Sequence, residues 1–137
     1  MQRILLVDDD TVILQIYRPK LQQFFEVETA LDGLDAMKKL HSFKPDVLVL
    51  DIMMPKFSGI EVLNFIRSDA QMKAMRVIVL SNMFFGAEQR QSAAGDADLV
   101  FQKSSCTPAK LVEAIHKLLA GSTQDNAPSA TNGNRAG

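Results

Sequence analysis

Short runs of apolar residues recur along the chain and are separated by longer, more polar segments. Three of the runs, ILLV, VLVL and VIVL, show no alternation with polar residues. A strand that is buried on both faces of a parallel sheet has this pattern, because helices cover the sheet on both sides. The sequence therefore predicts five strands, at residues 4–7, 27–29, 47–50, 77–80 and 99–101.

The segments between these runs have the apolar spacing of amphipathic helices. A fourth segment, at residues 88–94, is short and polar. Thr107 and Pro108 predict the start of a last helix and Gly121 its end. The apolar positions are Val12, Ile13, Ile16, Leu21 and Phe24 in the first helix, Leu34, Met37 and Leu40 in the second, Ile60, Leu63 and Ile66 in the third, and Leu111, Ile115, Leu118 and Leu119 in the last.

These elements form a βα unit that is repeated five times. Right-handed crossovers between parallel strands place helices on both faces of a sheet. We therefore expect an α/β fold, a three-layer doubly wound (βα)5 sandwich whose parallel five-stranded sheet has the order 2-1-3-4-5. Residues 1–121 are assigned to one domain. Residues 122–137, rich in Gly, Ser, Thr, Asn and Ala without apolar periodicity, are assigned to a flexible tail or linker.

Charge and cysteine content narrow the classes of partner. The 15 basic and 16 acidic residues are spread along the chain, so there is no basic field for nucleic acid or anionic lipid, and we expect no direct binding to either. We see no signal peptide and no apolar run of membrane-spanning length. The single cysteine, Cys106, is interpreted as a small loop or helix-start residue. A cytoplasmic protein is expected.

Acidic residues follow the first and third predicted strands. Asp8, Asp9 and Asp10 come after the first strand and Asp51 after the third. These strands are neighbours in the predicted order, about 4.8 Å apart, so Asp8, Asp9 and Asp51 would crowd into one pocket. Crowded carboxylates take up protons or bind a cation, and oxygen ligands suit Mg²⁺. The alternative is that these aspartates cap the next helix, which we expect of Asp10.

Two further polar residues end the fourth and fifth predicted strands. Lys103 could neutralise part of a transferred phosphoryl group, and the hydroxyl of Ser81 could donate a hydrogen bond to one of its oxygens. Each residue alone is more often a solvated lysine or a turn serine. Their coincidence with the acidic pocket favours a functional role.

These residues resemble the receiver domain of two-component response regulators, as in chemotaxis regulators, over about residues 2 to 120. The start ILLVDDD is similar to the family's acidic pair, and VLVLDIMMPKFSG to its phosphorylation segment. The resemblance implies a flavodoxin-like fold with Asp51 as the phosphoacceptor. It also implies that Asp8, Asp9, Asp51 and the backbone carbonyl of Met53 hold Mg²⁺, that Ser81 is the switch hydroxyl, and that Lys103 binds the phosphate.

The resemblance further implies a signalling switch rather than a conventional enzyme. A histidine kinase or histidine phosphotransfer protein would present a phosphohistidine, and the receiver would catalyse its own phosphorylation and dephosphorylation. Acylphosphate formation would change the face formed by the fourth helix, fifth strand and fifth helix, and with it the affinity for a downstream protein. A homodimer formed through this face is possible on the same grounds.

The chain departs from the family pattern at three positions. Ser104 follows Lys103 where many receivers have proline. Val100 occupies the usual aromatic switch position, and Phe101 lies on the opposite face of the strand. Asn82 follows Ser81 where a small residue is usual, and the MFF run after it, like Phe57, fits either a docking patch or a buried contact.

Two other functions fit parts of the sequence. The run from Asp8 to Val12 matches the Asp-x-Asp-x-Val pattern of haloacid-dehalogenase-like phosphatases, with Asp8 as nucleophile, Asp10 as general acid, and Lys103 and the Gly95-Asp96 segment recruited to the site. That interpretation leaves the segment from Asp51 to Gly59 unexplained. A receiver-like interaction module that works without phosphorylation is the other alternative.

Overall fold

The computed structural model describes residues 1–54, 58–81 and 96–124. Strands and helices alternate within these ranges, and all five predicted strands are present. The strands are β1 (Arg3–Val7), β2 (Glu26–Ala30), β3 (Val47–Leu50), β4 (Arg76–Ser81) and β5 (Leu99–Gln102). The helices are α1 (Thr11–Gln22), α2 (Gly33–Phe43), α3 (Gly59–Ser68) and a C-terminal helix (Pro108–Gln124). The helix predicted at residues 88–94 and the chain beyond residue 124 lie outside the described residues.

The five strands form one parallel sheet in the order β2-β1-β3-β4-β5. This confirms the predicted α/β fold and strand order. β1 and β3 are in register from Ile4 opposite Val47 to Val7 opposite Leu50. The residues that follow these strands, Asp8 and Asp51, therefore leave the sheet side by side at its carboxyl edge.

The alternation of side chains along each strand divides the core into two layers. Ile4 and Leu6 of β1 pack with residues of α1 and the C-terminal helix, among them Leu21. Leu5 and Val7 pack on the opposite face with residues of α2 and α3. Burying each such side chain stabilises the fold by about 1.5–3 kcal/mol, so both layers hold the sheet and keep its carboxyl edge in place.

Helix α1 starts directly beside the acidic edge. The carboxylate of Asp10 accepts a hydrogen bond from the backbone N–H of Val12 at 2.9 Å, so Asp10 is the predicted cap. The buried residues of α1 are Leu14, Tyr17 and Leu21. Val12 and Ile16, which we expected on the buried face, are 57% and 50% exposed. The helix carries two apolar stripes. The stripe at spacing i, i+3 and i+7, joined by partly buried Ile13, meets the core.

The C-terminal helix begins where the sequence predicts and ends later. The Thr107 hydroxyl accepts the backbone N–H of Lys110 at 3.1 Å, and Pro108 is the first helical residue. The prediction that Gly121 ends the helix is wrong, because the helix continues to Gln124. A glycine ends a helix by adopting a left-handed conformation, and Gly121 has no positive φ.

Among the described residues, no helix combines the length and the apolar character that crossing a membrane would need.

Candidate functional site

Two aspartates are buried at the carboxyl edge of the sheet. Asp8 and Asp51 are only 2% and 3% exposed. The backbone N–H of Asp10 donates to Oδ1 of Asp8 at 2.9 Å, and that of Met53 donates to Oδ1 of Asp51 at 3.1 Å. Each carboxylate is thus held by the N–H group two residues further along the chain, as in an Asx turn. The short loops after β1 and β3 fix both side chains.

The ammonium group of Lys103, the residue that follows β5, bridges these two carboxylates. Its Nζ lies 2.6 Å from Oδ2 of Asp8 and 3.2 Å from Oδ2 of Asp51. The side chain of Lys103 is 9% exposed and crosses the end of β4 to reach β3 and β1. Buried charges are tolerated when they are paired and hydrogen-bonded, so the three groups form one interdependent unit.

The charges in this unit shift each other's proton affinity. Burial raises the pKa of the Asp8 carboxyl, and the charge of Asp51 adds to this effect, while hydrogen bonds from Lys103 and from the N–H of Asp10 oppose it. Burial by itself would lower the pKa of Lys103, but the hydrogen bond to Asp8 and the charge of Asp51 raise it above its ordinary value. Lys103 therefore stays positively charged and balances part of the acidic charge.

The acidic cluster fits a hard divalent cation. Asp8, Asp9 and Asp51 each offer one carboxylate oxygen, and these oxygens lie within 4.8 Å of one another. Asp9 is exposed, which leaves the cluster open to solvent on one side. The three carboxylates and the single ammonium of Lys103 leave two formal negative charges, and an all-oxygen set open to water suits Mg²⁺. The crowding that the sequence predicts is therefore present.

Ser81 is the last residue of β4, the strand between β3 and β5. It is fully buried, and its backbone lies opposite Gln102, which precedes Lys103. Ser81 therefore lies at the same edge of the sheet, on the strand between those that lead to Asp51 and Lys103. The candidate residues at the ends of β1, β3, β4 and β5 therefore share one edge of the sheet.

A family model described as the response regulator receiver domain matches residues 4–116. The chain belongs to this family. A receiver domain is the phosphoacceptor module of two-component response regulators, so the resemblance seen in the sequence is confirmed.

Individual relatives and solved structures agree with this assignment. The chain is 35% identical over 123 residues, 86% of its length and 35% of the relative's, to protein-glutamate methylesterase/protein-glutamine glutaminase 5 of Myxococcus xanthus. A CheY-like receiver domain protein from Methanospirillum hungatei superposes with a TM-score of 0.82 at 26% identity, covering 92% of this chain and 99% of that one. The BeF3-activated receiver domain of DrrB, a Thermotoga maritima protein, gives a TM-score of 0.76 at 30% identity, covering 88% and 98%.

The matched segment of this receiver domain spans about a third of the length of the curated relatives. The solved receiver domains, in contrast, are covered almost completely. The similarity to the longer proteins is thus a similarity to a part of each of them.

Gly59 allows the receiver's third helix to approach Asp51 closely. A Cβ atom at this position would lie 2.3 Å from the backbone oxygen of Asp51 and 2.6 Å from Cα of Ile52. The N–H of Gly59 donates to the carbonyl of Ile52 at 3.1 Å. The glycine at the eighth position after Asp51 is therefore required by its close packing against the backbone of Asp51 and Ile52.

Two residues that the phosphatase alternative needs are engaged elsewhere in the receiver. The Asp10 carboxylate caps α1. The backbone carbonyl of Asp96 accepts a hydrogen bond from Arg67 at 2.6 Å, and Asp96 precedes β5, at the amino edge of the sheet and opposite the acidic cluster. Recruitment of Asp96 to the site is therefore wrong, and Gly95 lies outside the described residues.

Two of the three departures from the family pattern, Val100 and Ser104, lie in β5 and directly after it. Val100 packs against the core layer of α2 and α3, and Phe101 against the layer of α1 and the C-terminal helix, which confirms that they lie on opposite faces. Ser104 is part of a 3-10 turn, Lys103–Ser105. Phe57, Asn82 and the MFF run lie outside the described residues.

One contact near the site was not found from the sequence. The hydroxyl of Tyr17, in α1, donates a hydrogen bond to the backbone carbonyl of Cys106, in the loop after Lys103. The two residues are 89 positions apart, and a tyrosine in an amphipathic helix gives no signal of such a partner. Cys106 itself is a buried loop residue, in agreement with its interpretation.

Proposed function

We propose that this receiver domain is a phosphorylation switch in which Asp51 accepts a phosphoryl group from a partner phosphohistidine. The observation that carries the proposal is the buried bridge in which Lys103 pairs with both Asp8 and Asp51. A lysine held over two carboxylates from neighbouring strands costs desolvation energy, and it is the arrangement that a transferred anionic group requires. The family membership of the chain supports the same function.

The proposed reaction is an in-line displacement. An oxygen of the Asp51 carboxylate forms the new bond to phosphorus as the phosphorus–nitrogen bond of the phosphohistidine breaks, and the imidazole leaves with the bonding electron pair and takes up a proton. Lys103 moves its charge from the carboxylates to the oxygens of the phosphoryl group, and the Ser81 hydroxyl donates to one of them. Hydrolysis of the acylphosphate by water returns Asp51 to its initial state.

A divalent cation completes the proposed site. Asp8, Asp9, Asp51 and the backbone carbonyl of Met53 would hold Mg²⁺, which when bound supplies positive charge to the phosphoryl oxygens. The charge and spacing of the three carboxylates support this assignment. The chain's own residues orient the Asp51 carboxylate through the N–H of Met53, and the burial of Asp51 limits the access of solvent to one side.

The proposed output is a change in population between two conformations. Once Lys103 and Ser81 contact a phosphoryl group, the packing of β5 and the C-terminal helix is biased towards an active form. The face formed by these elements and the predicted fourth helix would then bind a downstream protein or a second copy of the chain. We propose no direct contact with nucleic acid and a cytoplasmic location. We also propose that the domain includes the C-terminal helix to Gln124, three residues beyond the predicted boundary at residue 121, and that the chain after it is a tail or linker.

The proposed donor is a histidine kinase or histidine phosphotransfer protein, the partner class of receiver domains. A donor that delivers phosphorus to buried Asp51 has to cover the carboxyl edge of the sheet. Exposed apolar residues at this edge, which support docking of a protein there, are Val12, Ile16, Leu31, Leu34 and Met53.

Incubation with acetyl phosphate, with and without Mg²⁺, tests the proposal. We expect the intact mass to increase by one phosphoryl group only with Mg²⁺, and hydroxylamine to remove it, as it does an acylphosphate. Because fast hydrolysis could hide the adduct, the same samples are tested with BeF3, the activator named for DrrB, by the change in backbone amide spectra. Failure of both probes would contradict the proposal and favour the phosphorylation-independent module.

A further inference from the structure

The only tyrosine of the chain links α1 to the turn that carries Lys103. Its hydroxyl donates to the backbone carbonyl of Cys106, and both residues are 3% exposed. A buried carbonyl needs a hydrogen-bond partner, since leaving it unsatisfied is costly. Tyr17 supplies that partner from helix α1, which is far from the turn in the sequence.

The turn after β5 is short and lacks residues that restrict the backbone. Residues 103–105 form a single 3-10 turn without proline or glycine, and Ser104 and Ser105 are exposed. The N–H of Cys106 donates back to the carbonyl of Lys103 at 3.3 Å. Cys106 is therefore hydrogen-bonded to Lys103 through its N–H and to the Tyr17 hydroxyl through its carbonyl. Through these two bonds, Tyr17 fixes the turn to the core.

We propose that Tyr17 is a positioning residue that holds this turn so that the ammonium of Lys103 stays over Asp8 and Asp51. The inference rests on the proposed function and adds a residue that does not touch the phosphoryl group. Because the hydroxyl is a donor to a fixed carbonyl, its removal frees the turn while the aromatic ring still fills the core. Burial raises the pKa of the Tyr17 hydroxyl, so it remains a donor throughout the physiological pH range.

Because Lys103 and Mg²⁺ compete for the same carboxylates, loss of this positioning role should change Mg²⁺ binding and phosphorylation in opposite directions. Lys103 binds the carboxylates in the metal-free site and the phosphoryl group in the proposed reaction. A Lys103 that is held less firmly competes less with Mg²⁺ for Asp8 and Asp51, but it also stabilises the transferred group less. Loss of the Tyr17 hydroxyl should therefore tighten Mg²⁺ binding and slow phosphorylation. Simple loosening of the fold would weaken both.

The variant Tyr17→Phe tests this expectation directly. At saturating Mg²⁺ we expect phosphorylation by acetyl phosphate to be about three- to tenfold slower than in the wild type, the effect of one buried hydrogen bond. The dissociation constant for Mg²⁺, measured from backbone amide shifts without a phosphodonor, should be lower. Phe25→Leu is the matched control, because Phe25 is buried in the same core layer and its ring packs against Phe24 and His116.

The buried thiol of Cys106 gives a readout that needs neither metal nor phosphodonor. Its reaction with a chromogenic disulfide reagent requires opening of this turn, since the side chain is 3% exposed. We expect the labelling rate under native conditions to rise about three- to tenfold in Tyr17→Phe. In Phe25→Leu the labelling rate should change only as far as global unfolding allows.

The outcomes separate this inference from the proposed function. If the wild type is neither phosphorylated nor changed by BeF3, the proposed function fails. If the wild type is phosphorylated and Tyr17→Phe reacts at the same rate, or if its Mg²⁺ binding and phosphorylation weaken in parallel as in Phe25→Leu, the positioning role is wrong. An unchanged thiol-labelling rate in Tyr17→Phe would contradict it as well.

Discussion

At the scale of single residues, two glycines have opposite roles. Gly59 lies against the backbone of Asp51 and Ile52, where a Cβ atom would come within 2.3 Å of an oxygen. Gly121 lies at an exposed position of the C-terminal helix, where a Cβ atom would meet nothing within 4 Å. Substitution to alanine should therefore be disruptive at Gly59, where the contact is steric, and should only raise helix propensity at Gly121.

We expect Gly59→Ala to lower the free energy of unfolding by about 2 kcal/mol, because the overpacked contact has to be relieved by a backbone shift. The same shift displaces Asp51, so phosphorylation by acetyl phosphate should slow on the order of a hundredfold. Gly121→Ala should raise the free energy of unfolding by about 0.5–1 kcal/mol and leave phosphorylation unchanged. Urea denaturation measures the free energy of unfolding, and the rate of mass increase measures phosphorylation. Equal effects in the two variants would contradict the steric account.

The acidic residues of the candidate site could be predicted because the topology brings them together. Once the strands and their order are known, residues that follow neighbouring strands must meet at one edge, so Asp8 and Asp51 follow from the pattern alone. The contact between Tyr17 and Cys106 could not be predicted, because it joins a helix to a loop through one hydroxyl. The bridge from Lys103 to both carboxylates could not be predicted either, because it depends on the conformation of a long side chain that crosses β4, and the hydrophobic pattern carries no information on it.

At the scale of elements, α1 carries an apolar stripe that the core does not use. Val12 and Ile16 lie one helical turn apart and are half exposed or more, directly after the acidic loop. The sequence identified this helix and placed Ile13 and Leu21 correctly in the core. It wrongly assigned Val12 and Ile16 to the buried face, because two apolar stripes of similar strength fit the helical period. The strands were predicted more accurately, since a run buried on both sides has no competing face.

If the phosphohistidine donor docks on this stripe, a charge on it should affect the protein donor alone. We expect Ile16→Glu to slow phosphotransfer from a histidine kinase that labels the wild type by about tenfold, as for an interface residue worth more than 1 kcal/mol. Labelling by acetyl phosphate, which needs no docking surface, should remain at the wild-type rate. Gln22→Glu, at the far end of α1, is the control with the same change of charge. Equal slowing with both donors would contradict docking on the stripe.

At the scale of the whole molecule, the stability of the fold depends on the charge balance of the site. Asp8 and Asp51 tolerate burial because Lys103 neutralises part of their charge. Removal of the ammonium leaves two buried carboxylates without a cation. The stability of the fold is therefore linked to whatever positive charge occupies the carboxyl edge.

We expect Lys103→Met to lower the free energy of unfolding of the metal-free protein by about 3 kcal/mol. Mg²⁺ should restore much of this loss, because the carboxylates then bind it without competition from the lysine. Lys117→Met, which removes a cation whose side chain is 78% exposed on the C-terminal helix, should change neither quantity. Thermal unfolding over a series of Mg²⁺ concentrations measures the linkage, and a Lys103→Met variant that Mg²⁺ fails to stabilise would contradict the proposed metal site.

The most direct test of the central claim is the site of phosphorylation. Wild type, Asp51→Asn and Asp10→Asn are incubated with acetyl phosphate and Mg²⁺ and compared by intact mass. Asparagine caps a helix as well as aspartate does, so Asp10→Asn keeps the cap of α1 and serves as the matched control. We expect the wild type and Asp10→Asn to gain one hydroxylamine-labile phosphoryl group and folded Asp51→Asn to gain none. A phosphoryl group on Asp51→Asn, or its loss in Asp10→Asn, would contradict the assignment of Asp51 as the phosphoacceptor.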